Sequence, residues 1–236
     1  MPVRSIDIFA DVVSKFDKNC NAYVAKLVDA QTAGTLPVAI GPALRDFPGQ
    51  WRSKFTVIPG DNLAKPLIVE IGCHTGHTIC DMAEQSPEVL FVGVDITFKR
   101  VVQTAERARE RGLKNIFVAL ANARGLEDLF TPGEVSGFVT FFPDPWLKKR
   151  HAHNRLYAPE FCATVRSQLS SDGFLWLKTD QKPYFDDACS FVQESGFHEV
   201  KSLPVLGDND FSSFFLRRFE LRGLPWYGRK WIKSVS

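Results

Sequence analysis

Short apolar runs alternate with longer amphipathic stretches from residue 67 onward. The runs are rich in β-branched and aromatic residues and stay apolar through most of their length. Such runs are typical of strands that are buried on both faces of a parallel sheet. The predicted strands are Leu67–Ile71, Leu90–Val94, Ile116–Leu120, Phe138–Phe142 and Phe174–Leu177.

The stretches between these runs predict helices. Thr97 is a suitable N-cap for a helix that places Val101, Val102 and Ala105 on one face and ends at Gly112. Strands that alternate with helices predict an α/β fold with a mostly parallel, doubly wound sheet, whose ligands bind at the carboxyl ends of the strands. Further helices are predicted near residues 77–86, 159–170 and 183–195, and the tail from Lys201 predicts one or two final strands in the same sheet.

Residues 1–65 lack a clean period and contain repeated glycines and prolines. These residues interrupt regular structure. We therefore predict a partly irregular N-terminal extension over residues 1–65, with one helix near residues 7–29. Residues 66–236 are predicted to form the α/β domain.

Composition narrows the class of protein. The chain has 236 residues, 44% of them hydrophobic, and 29 Lys and Arg against 27 Asp and Glu give a net charge of +2. This mixture is that of an ordinary globular protein and excludes disordered, collagen-like and coiled-coil chains. Five cysteines without a CxxC pair disfavour a disulfide framework or a zinc site. With no signal peptide and no long apolar run, a soluble cytoplasmic protein is expected.

A glycine-bearing turn follows the first predicted strand and reads Glu70-Ile-Gly72-Cys-His-Thr-Gly76. Two glycines allow a tight turn and a close approach of backbone to a ligand, and the next helix offers free N–H groups. Alone, this turn is a weak signal, because glycine-bearing turns between strand and helix are common. The two histidines beside it, His74 and His77, lack nearby metal-ligating partners and are expected to be polar loop residues.

The next predicted strand ends at Asp95, 23 residues after Gly72. An acid at about this spacing binds a ribose diol in dinucleotide-binding folds. The carboxylate of Glu70 would be repelled by a pyrophosphate but stabilised by a sulfonium or an ammonium group. S-adenosylmethionine carries both cations. Asn122, after the third strand, is equally a turn residue and a candidate for hydrogen bonding to an adenine edge.

The most specific segment reads Pro143-Asp-Pro-Trp-Leu-Lys-Lys-Arg-His-Ala-His-Asn-Arg155. Two prolines hold the Asp144 carboxylate on a stiff turn, which suits a site residue better than a plain surface turn. A tryptophan followed by clustered cations is typical of nucleic-acid binding, with phosphates held by charge and bases by stacking. The two histidines in the segment, His151 and His153, are better explained by a basic loop than by a metal site.

Together, the PDPW segment, the glycine turn and Asp95 make residues 67–228 resemble the bacterial tRNA (guanine-N7-)-methyltransferase family. The resemblance implies a Rossmann-like class I methyltransferase fold with an antiparallel C-terminal strand, and S-adenosylmethionine as cofactor. It implies methylation of N7 of guanine 46, in the variable region of tRNA. The cofactor positions it implies are Glu70, Gly72, Gly76, Asp95, Asn122 and Asp144, with Asp144 also catalytic, and the substrate positions are Lys148, Asp180 and Ser213.

Two positions depart from the family pattern. The glycine turn of the family is usually GCGxG, and His74 replaces its middle glycine. A Thr-x-x-Glu motif about ten residues before a glycine becomes Ser213-Phe-Phe-Leu216, counted back from Gly223. Glu220 or another acid would have to replace the lost carboxylate through a shifted register, or activity or substrate would change.

Net charge hides two basic patches. Lys201–Ser236 carries seven Lys and Arg against three Asp and Glu, and residues 146–155 carry four cations and no acid. The RNA-binding candidates are Lys149, Arg150, Arg155, Arg217 and Arg218, together with Lys148, Arg222, Arg229 and Lys230. For any one tail arginine, a solvated surface position is as good an explanation as RNA contact.

The expected activity has two alternatives. One is a catalytically weakened tRNA-binding protein that keeps the fold, which His74 and Leu216 motivate. The other is a small-molecule methyltransferase, which leaves the basic segment unexplained. The expected partner is tRNA, with no membrane, and the sequence leaves a monomer and a homodimer open.

Overall fold

The computed structural model describes residues 21–55, 62–146, 148–212 and 214–234. The chain divides into two compact units, and the division falls between Thr131 and Pro132. Among the described residues, none of the helices is both long and apolar enough to cross a membrane. The four described cysteines are free and buried.

Unit 1 is built on four parallel strands in the order β1, β4, β3, β2. Its strands are β1 (Val38–Ala39), β2 (Leu67–Ile71), β3 (Leu90–Asp95) and β4 (Ile116–Leu120). Its helices are α1 (Ala22–Ala33), α2 (Trp51–Lys54), α3 (His77–Gln85), α4 (Phe98–Glu110) and α5 (Leu126–Leu129). Short 3₁₀ turns lie at Gly41–Asp46, Asn62–Ala64 and Ala123–Gly125.

Part of the predicted extension is packed into unit 1. Strand β1 pairs with β4, and the buried indole of Trp51 stacks on Phe130 with ring centroids 5.4 Å apart. The Trp51 indole N–H also donates to the carbonyl of Leu129 at 2.7 Å. The helix predicted near residues 7–29 is found at Ala22–Ala33, and residues 1–20 lie outside the described part of the chain.

Unit 2 contains β5 (Val135–Phe141), β6 (Leu169–Thr179), β7 (Phe197–Val200) and β8 (Tyr227–Lys233). Strand β5 runs parallel to β6, whereas β8 is antiparallel to both β6 and β7. Its helices are α6 (Pro159–Gln168), α7 (Lys182–Glu194) and α8 (Phe214–Leu221), and a 3₁₀ turn spans Lys149–Asn154. The parallel strands and the antiparallel C-terminal strand confirm the α/β prediction.

Three local predictions need correction. The tail contains α8 as well as strands, and this helix was not predicted. Thr97 stands at the N-cap of α4, but its side chain makes no capping hydrogen bond, because its hydroxyl and N–H both bond to Asp95. Strand β5 ends at Phe141, since Phe142 has a left-handed backbone with φ of 53°.

Candidate functional site

The predicted cofactor residues of unit 1 gather at the carboxyl ends of three neighbouring strands. Glu70 lies in β2 opposite Gly93 of β3, and Asp95 closes β3 opposite Leu120 of β4. Asn122 follows β4 by two residues. Because the three strands are parallel, their ends share one edge, which is where α/β folds bind ligands.

Glu70 is a buried carboxyl group in an otherwise apolar strand. It is 3% exposed, and its Oε2 atom has no hydrogen-bond partner in the described part of the chain. Burial and the neighbouring Asp95 raise the pKa of this carboxyl group well above its usual value. An acid held in this way is unfavourable by itself and gains stability from a cationic or hydrogen-bond-donating ligand.

Asp95 is held by the backbone on both sides. Its Oδ2 accepts from the N–H of His74 at 3.1 Å, and its Oδ1 accepts from the N–H of Thr97 at 2.9 Å. Burial raises its pKa, and these hydrogen bonds oppose that rise. The carboxylate is therefore fixed in direction, as a group that binds a diol must be.

Gly72 and Gly76 are glycines for different structural reasons. Both have φ of +75°, a conformation that favours glycine. A Cβ atom on Gly76 would lie 2.7 Å from Cγ2 of Thr104, whereas a Cβ atom on Gly72 would meet no described heavy atom within 4 Å. Gly76 is thus needed for packing against α4. The space above Gly72 is open, as close approach of a ligand requires.

His74, the departure from the glycine pattern, is also left-handed, with φ of 51°. Its carbonyl accepts from the Thr104 hydroxyl at 3.0 Å, and its ring Nδ1 lies 3.1 Å from the Thr75 hydroxyl. Arg107 of α4 donates to the carbonyl of Thr75 at 2.9 Å. Helix α4 therefore holds the whole turn, and the imidazole is half-buried within it.

Asn122 has a structural role that the sequence also allowed. Its side-chain oxygen accepts from the N–H of Arg124 at 3.0 Å and caps a 3₁₀ turn. Sequence reasoning missed Ile96, whose side chain is 57% exposed directly after Asp95. An exposed apolar residue beside a candidate diol-binding acid is a surface that suits the flat face of a base, and the signal was an apolar residue just past a strand end.

The turn of unit 2 that holds Asp144 is bracketed by two strained aromatic residues. Phe142 and Trp146 have φ of 53° and 43°, a region that bulky side chains rarely adopt. The N–H of Phe142 donates to the carbonyl of Lys178 at 2.7 Å, and the Trp146 ring meets the His151 ring edge-on at 5.7 Å. The Asp144 side chain is exposed. Strain of this kind is common at functional sites.

The basic segment divides into exposed and structural cations. Lys148 and Arg150 are exposed. Arg155 is half-buried, donates from Nε to the carbonyl of Pro145 at 3.1 Å and pairs with Asp187 at 2.8 Å. Arg155 therefore stabilises the turn that holds Asp144. This structural role is separate from its predicted contact with RNA. The position of the Lys149 side chain lies outside what the structure describes.

The remaining substrate candidates lie in the C-terminal part of unit 2. Asp180 is half-buried and accepts from the Gln181 side chain at 2.6 Å. Ser213 lies outside the described residues. Leu216, which the predicted register matches to the Glu of the family motif, is 2% exposed, so this face of α8 is part of the apolar core. Glu220 is exposed on the same helix.

The tail cations also differ in their surroundings. Arg217, Arg218 and Arg222 are exposed. Arg229 pairs with Glu199 at 3.3 Å, and the Lys230 ammonium lies 4.6 Å from the centre of the Trp176 ring. The exposed arginines at α8 are thus the stronger candidates for a phosphate contact.

Comparison with known proteins decides the family. A family model described as "Putative methyltransferase" matches residues 64–215, well over half of the chain. A tRNA (guanine-N(7)-)-methyltransferase of Geobacillus kaustophilus is 37% identical over 149 residues, which are 63% of this chain and 66% of that protein. One of Listeria monocytogenes is 30% identical over 188 residues, which are 77% of this chain and 84% of that protein. The chain belongs to the tRNA (guanine-N7-)-methyltransferase family.

Solved structures agree on the fold. The 16S rRNA methyltransferase KamB has a TM-score of 0.56 and 16% identity, covering 79% of this chain and 92% of that one. The [4+2]-cyclase SpnF has a TM-score of 0.53 and 13% identity, covering 82% of each chain. Family membership and these neighbours confirm the Rossmann-like methyltransferase fold. The Geobacillus relative is matched over slightly less than two thirds of its length.

Proposed function

We propose that this protein transfers a methyl group from S-adenosylmethionine to N7 of a guanine in tRNA, forming 7-methylguanosine. The expected target is guanine 46 in the variable region. The observation that carries the proposal is membership of the family, since the matched residues 64–215 include Glu70, Asp95, Asp144 and Asp180. The weakened tRNA-binding alternative has no support among the relatives, which are named as enzymes.

The cofactor proposal is supported by the fit of unit 1 to S-adenosylmethionine. Glu70 offers a buried, unpartnered carboxylate oxygen that suits a cationic group. Asp95 offers a fixed carboxylate that suits a ribose diol, and Gly72 leaves open space above the turn. When bound, the cofactor supplies an electrophilic methyl group on a sulfonium. Glu70, Gly72 and Asp95 would bind and orient it.

Methyl transfer to guanine N7 depends more on the alignment of the reactants than on a general base. Guanine N7 already has an in-plane lone pair and no proton to lose, so methyl transfer needs no general base. The protein must hold the guanine in line and exclude water, which makes orientation the main contribution. Asp144, on its stiff turn, would accept hydrogen bonds from the N1 and N2 edge of the guanine. A fixed negative charge there also favours the positive charge that the base gains.

RNA contact is assigned to the exposed cations of unit 2. Lys148 and Arg150 lie in the segment that follows Asp144, and Arg217 and Arg218 lie on α8. N7 lies on the major-groove edge, which side chains cannot reach in an intact A-form helix. The accepted guanine is therefore expected to be looped or splayed out, and a target in the variable region fits this requirement.

The test is incubation of the protein with methyl-labelled S-adenosylmethionine and an unmodified tRNA transcript, followed by mapping of the label. The expected result is 7-methylguanosine at position 46, which disappears when that guanine is replaced by adenine and falls strongly in Asp144→Asn. Tight tRNA binding with no label would establish the weakened-binding alternative instead. Label in a small molecule but in no RNA would establish the small-molecule methyltransferase alternative.

A further inference from the structure

Lys178 is a buried cation that sequence reasoning did not single out. It lies near the end of β6 with an exposure of 0%, between Phe141 of β5 and Gly228 of β8 in the pairing register. An apolar side chain would suit this central strand position, and a buried ammonium group is costly unless it is well paired. Its presence therefore calls for a reason beyond stability.

The side chain of Lys178 reaches a segment distant in sequence. Its Nζ donates to the carbonyl of Phe211 at 2.9 Å and pairs with the Asp210 carboxylate at 2.5 Å. The ammonium also lies 4.7 Å from the centre of the Trp176 ring and 5.5 Å from that of Trp226. These contacts fasten the residues just before Ser213 and α8 to the end of β6.

The backbone of the same residue reaches the turn that holds Asp144. Its carbonyl accepts from the N–H of Phe142 at 2.7 Å, and this bond holds the left-handed residue that begins the turn. The Phe142 ring in turn stacks on Phe219 of α8 at 5.2 Å with an interplanar angle of 16°. Asp180, one of the substrate candidates, follows Lys178 by two residues along the chain. Lys178 thus joins its own strand to two other segments, the turn that begins at Phe142 and the segment of Asp210 and Phe211.

The ion pair is asymmetric. Lys178 is fully buried, whereas the side chain of Asp210 is 53% exposed. Burial lowers the pKa of the Lys178 ammonium, and Asp210 opposes this shift. Loss of the lysine would leave an acid that water can solvate, but loss of the acid would leave a buried cation without its partner. The two substitutions therefore have opposite expected effects on stability.

We propose that Lys178 is a positioning residue for the guanine-binding face of unit 2. Its side chain holds Asp210 and Phe211, and its carbonyl holds the Phe142 end of the Asp144 turn. The proposal rests on the proposed function, because it assigns Lys178 a part in presenting the substrate. It does not require Lys178 to touch the guanine or the cofactor.

The test compares the full-length protein with Lys178→Met, Asp210→Asn and the control Lys182→Met, which changes an exposed lysine of α7 in the same unit. Three quantities are measured besides cofactor affinity. They are the thermal midpoint, amide hydrogen exchange in peptides covering residues 204–216 and 67–95, and tRNA methylation with kcat and KM separated. Affinity for S-adenosylmethionine is measured by equilibrium dialysis.

For Lys178→Met, we expect an unchanged or higher thermal midpoint, and exchange at least about tenfold faster in 204–216 only. We expect kcat/KM for tRNA to fall by about 100-fold, as small displacements at a site can cause. Affinity for S-adenosylmethionine should change less than about twofold. Lys182→Met should match the wild type, and Asp210→Asn should lower the midpoint and loosen residues 204–216.

Unchanged exchange in residues 204–216 of Lys178→Met would overturn the proposal, as would a lower midpoint with unchanged kcat/KM per folded molecule. If that variant fails to fold, Asp210→Asn decides, and unchanged exchange there has the same meaning. An inactive wild-type protein would reject the proposed function instead. The exchange comparison would still decide whether Lys178 positions the segment.

Discussion

The backbone N–H of His74 donates to Oδ2 of Asp95 at 3.1 Å, and so joins the glycine turn to the end of the neighbouring strand. This bond uses the backbone, so it does not depend on which side chain occupies position 74. It does depend on the left-handed conformation, which His74 adopts with φ of 51°. The departure from glycine therefore keeps the link to Asp95 and adds an imidazole to the turn.

His74 should make stability depend on pH on the acid side. Burial, together with the charge of Arg100, lowers the pKa of His74. Below its ordinary value of about 6.5, the unfolded chain then takes up a proton that the folded protein does not. The free energy of unfolding should fall as pH falls through this range. His74→Asn should flatten that part of the profile, since Asn tolerates the left-handed region without titrating.

Urea unfolding at a series of pH values from about 5 to 8 measures this slope. His198→Asn, at an exposed position of β7, is the matched control. Equal slopes in the wild type and His74→Asn would show that the imidazole does not contribute.

Glu70→Gln should raise the stability of the protein and weaken its binding of the cofactor. The pKa of the Glu70 carboxyl group is raised in the folded protein, whereas the unfolded chain releases this proton above about pH 4.5. The buried carboxyl group therefore lowers the free energy of unfolding at pH 7. The amide has nearly the same shape and no charge. We expect a thermal midpoint at least about 2 °C higher at pH 7, with the difference shrinking toward pH 4.5.

The same substitution should weaken binding of S-adenosylmethionine by at least about tenfold, because a charge-assisted contact to a cation is lost. Equilibrium dialysis with labelled cofactor measures this. Wild-type affinity in a stabilised Glu70→Gln would mean that the acid is buried for some other purpose.

Alanine substitutions at Gly72, Gly76 and Gly112 can be compared directly. All have positive φ, between 68° and 75°. An alanine at any of them costs about 1 kcal/mol in backbone strain. Only Gly76→Ala also forces a Cβ atom to within 2.7 Å of Thr104, which adds about 1–3 kcal/mol. Denaturant unfolding should therefore rank Gly76→Ala as the least stable.

Gly72→Ala should behave differently from the other two. It should lose no more stability than Gly112→Ala, because both positions have open space for a Cβ atom. It should nevertheless lose more affinity for S-adenosylmethionine, since the new methyl group enters the space proposed for the cofactor. Equal cofactor affinity in Gly72→Ala and Gly112→Ala would argue against that placement.

Arg150 of the basic segment should contribute to the salt dependence of tRNA binding. Exposed Arg150 is proposed to contact phosphate, so Arg150→Gln should reduce the slope of log affinity against log salt by about 0.7 to 0.9. Arg109→Gln, at an exposed position of α4, is the control and should leave the slope as it is. Fluorescence anisotropy of labelled tRNA between about 50 and 200 mM salt measures both. A slope that Arg150→Gln leaves unchanged would remove this residue from the footprint.

Much of the fold could be predicted because its pattern is local. Buried parallel strands are continuous apolar runs, and all five predicted strands are found with ends shifted by a few residues. The shift at Phe142 and the unpredicted helix α8 have tertiary causes. Phe142 leaves the strand because its backbone is left-handed, with φ of 53°, and the rings of Phe215 and Phe219 pack against its ring.

For the candidate site, the sequence by itself determined the residue types and their spacing: an acid before the glycine turn, Asp95 after the next strand, and Asp144 between two prolines. These are properties of short segments. Only the tertiary structure decided which charges are buried, paired or exposed. It places Arg155 beneath the turn and Lys178 in the core, because the burial of an ionic group is set by partners from distant segments such as Asp187 and Asp210.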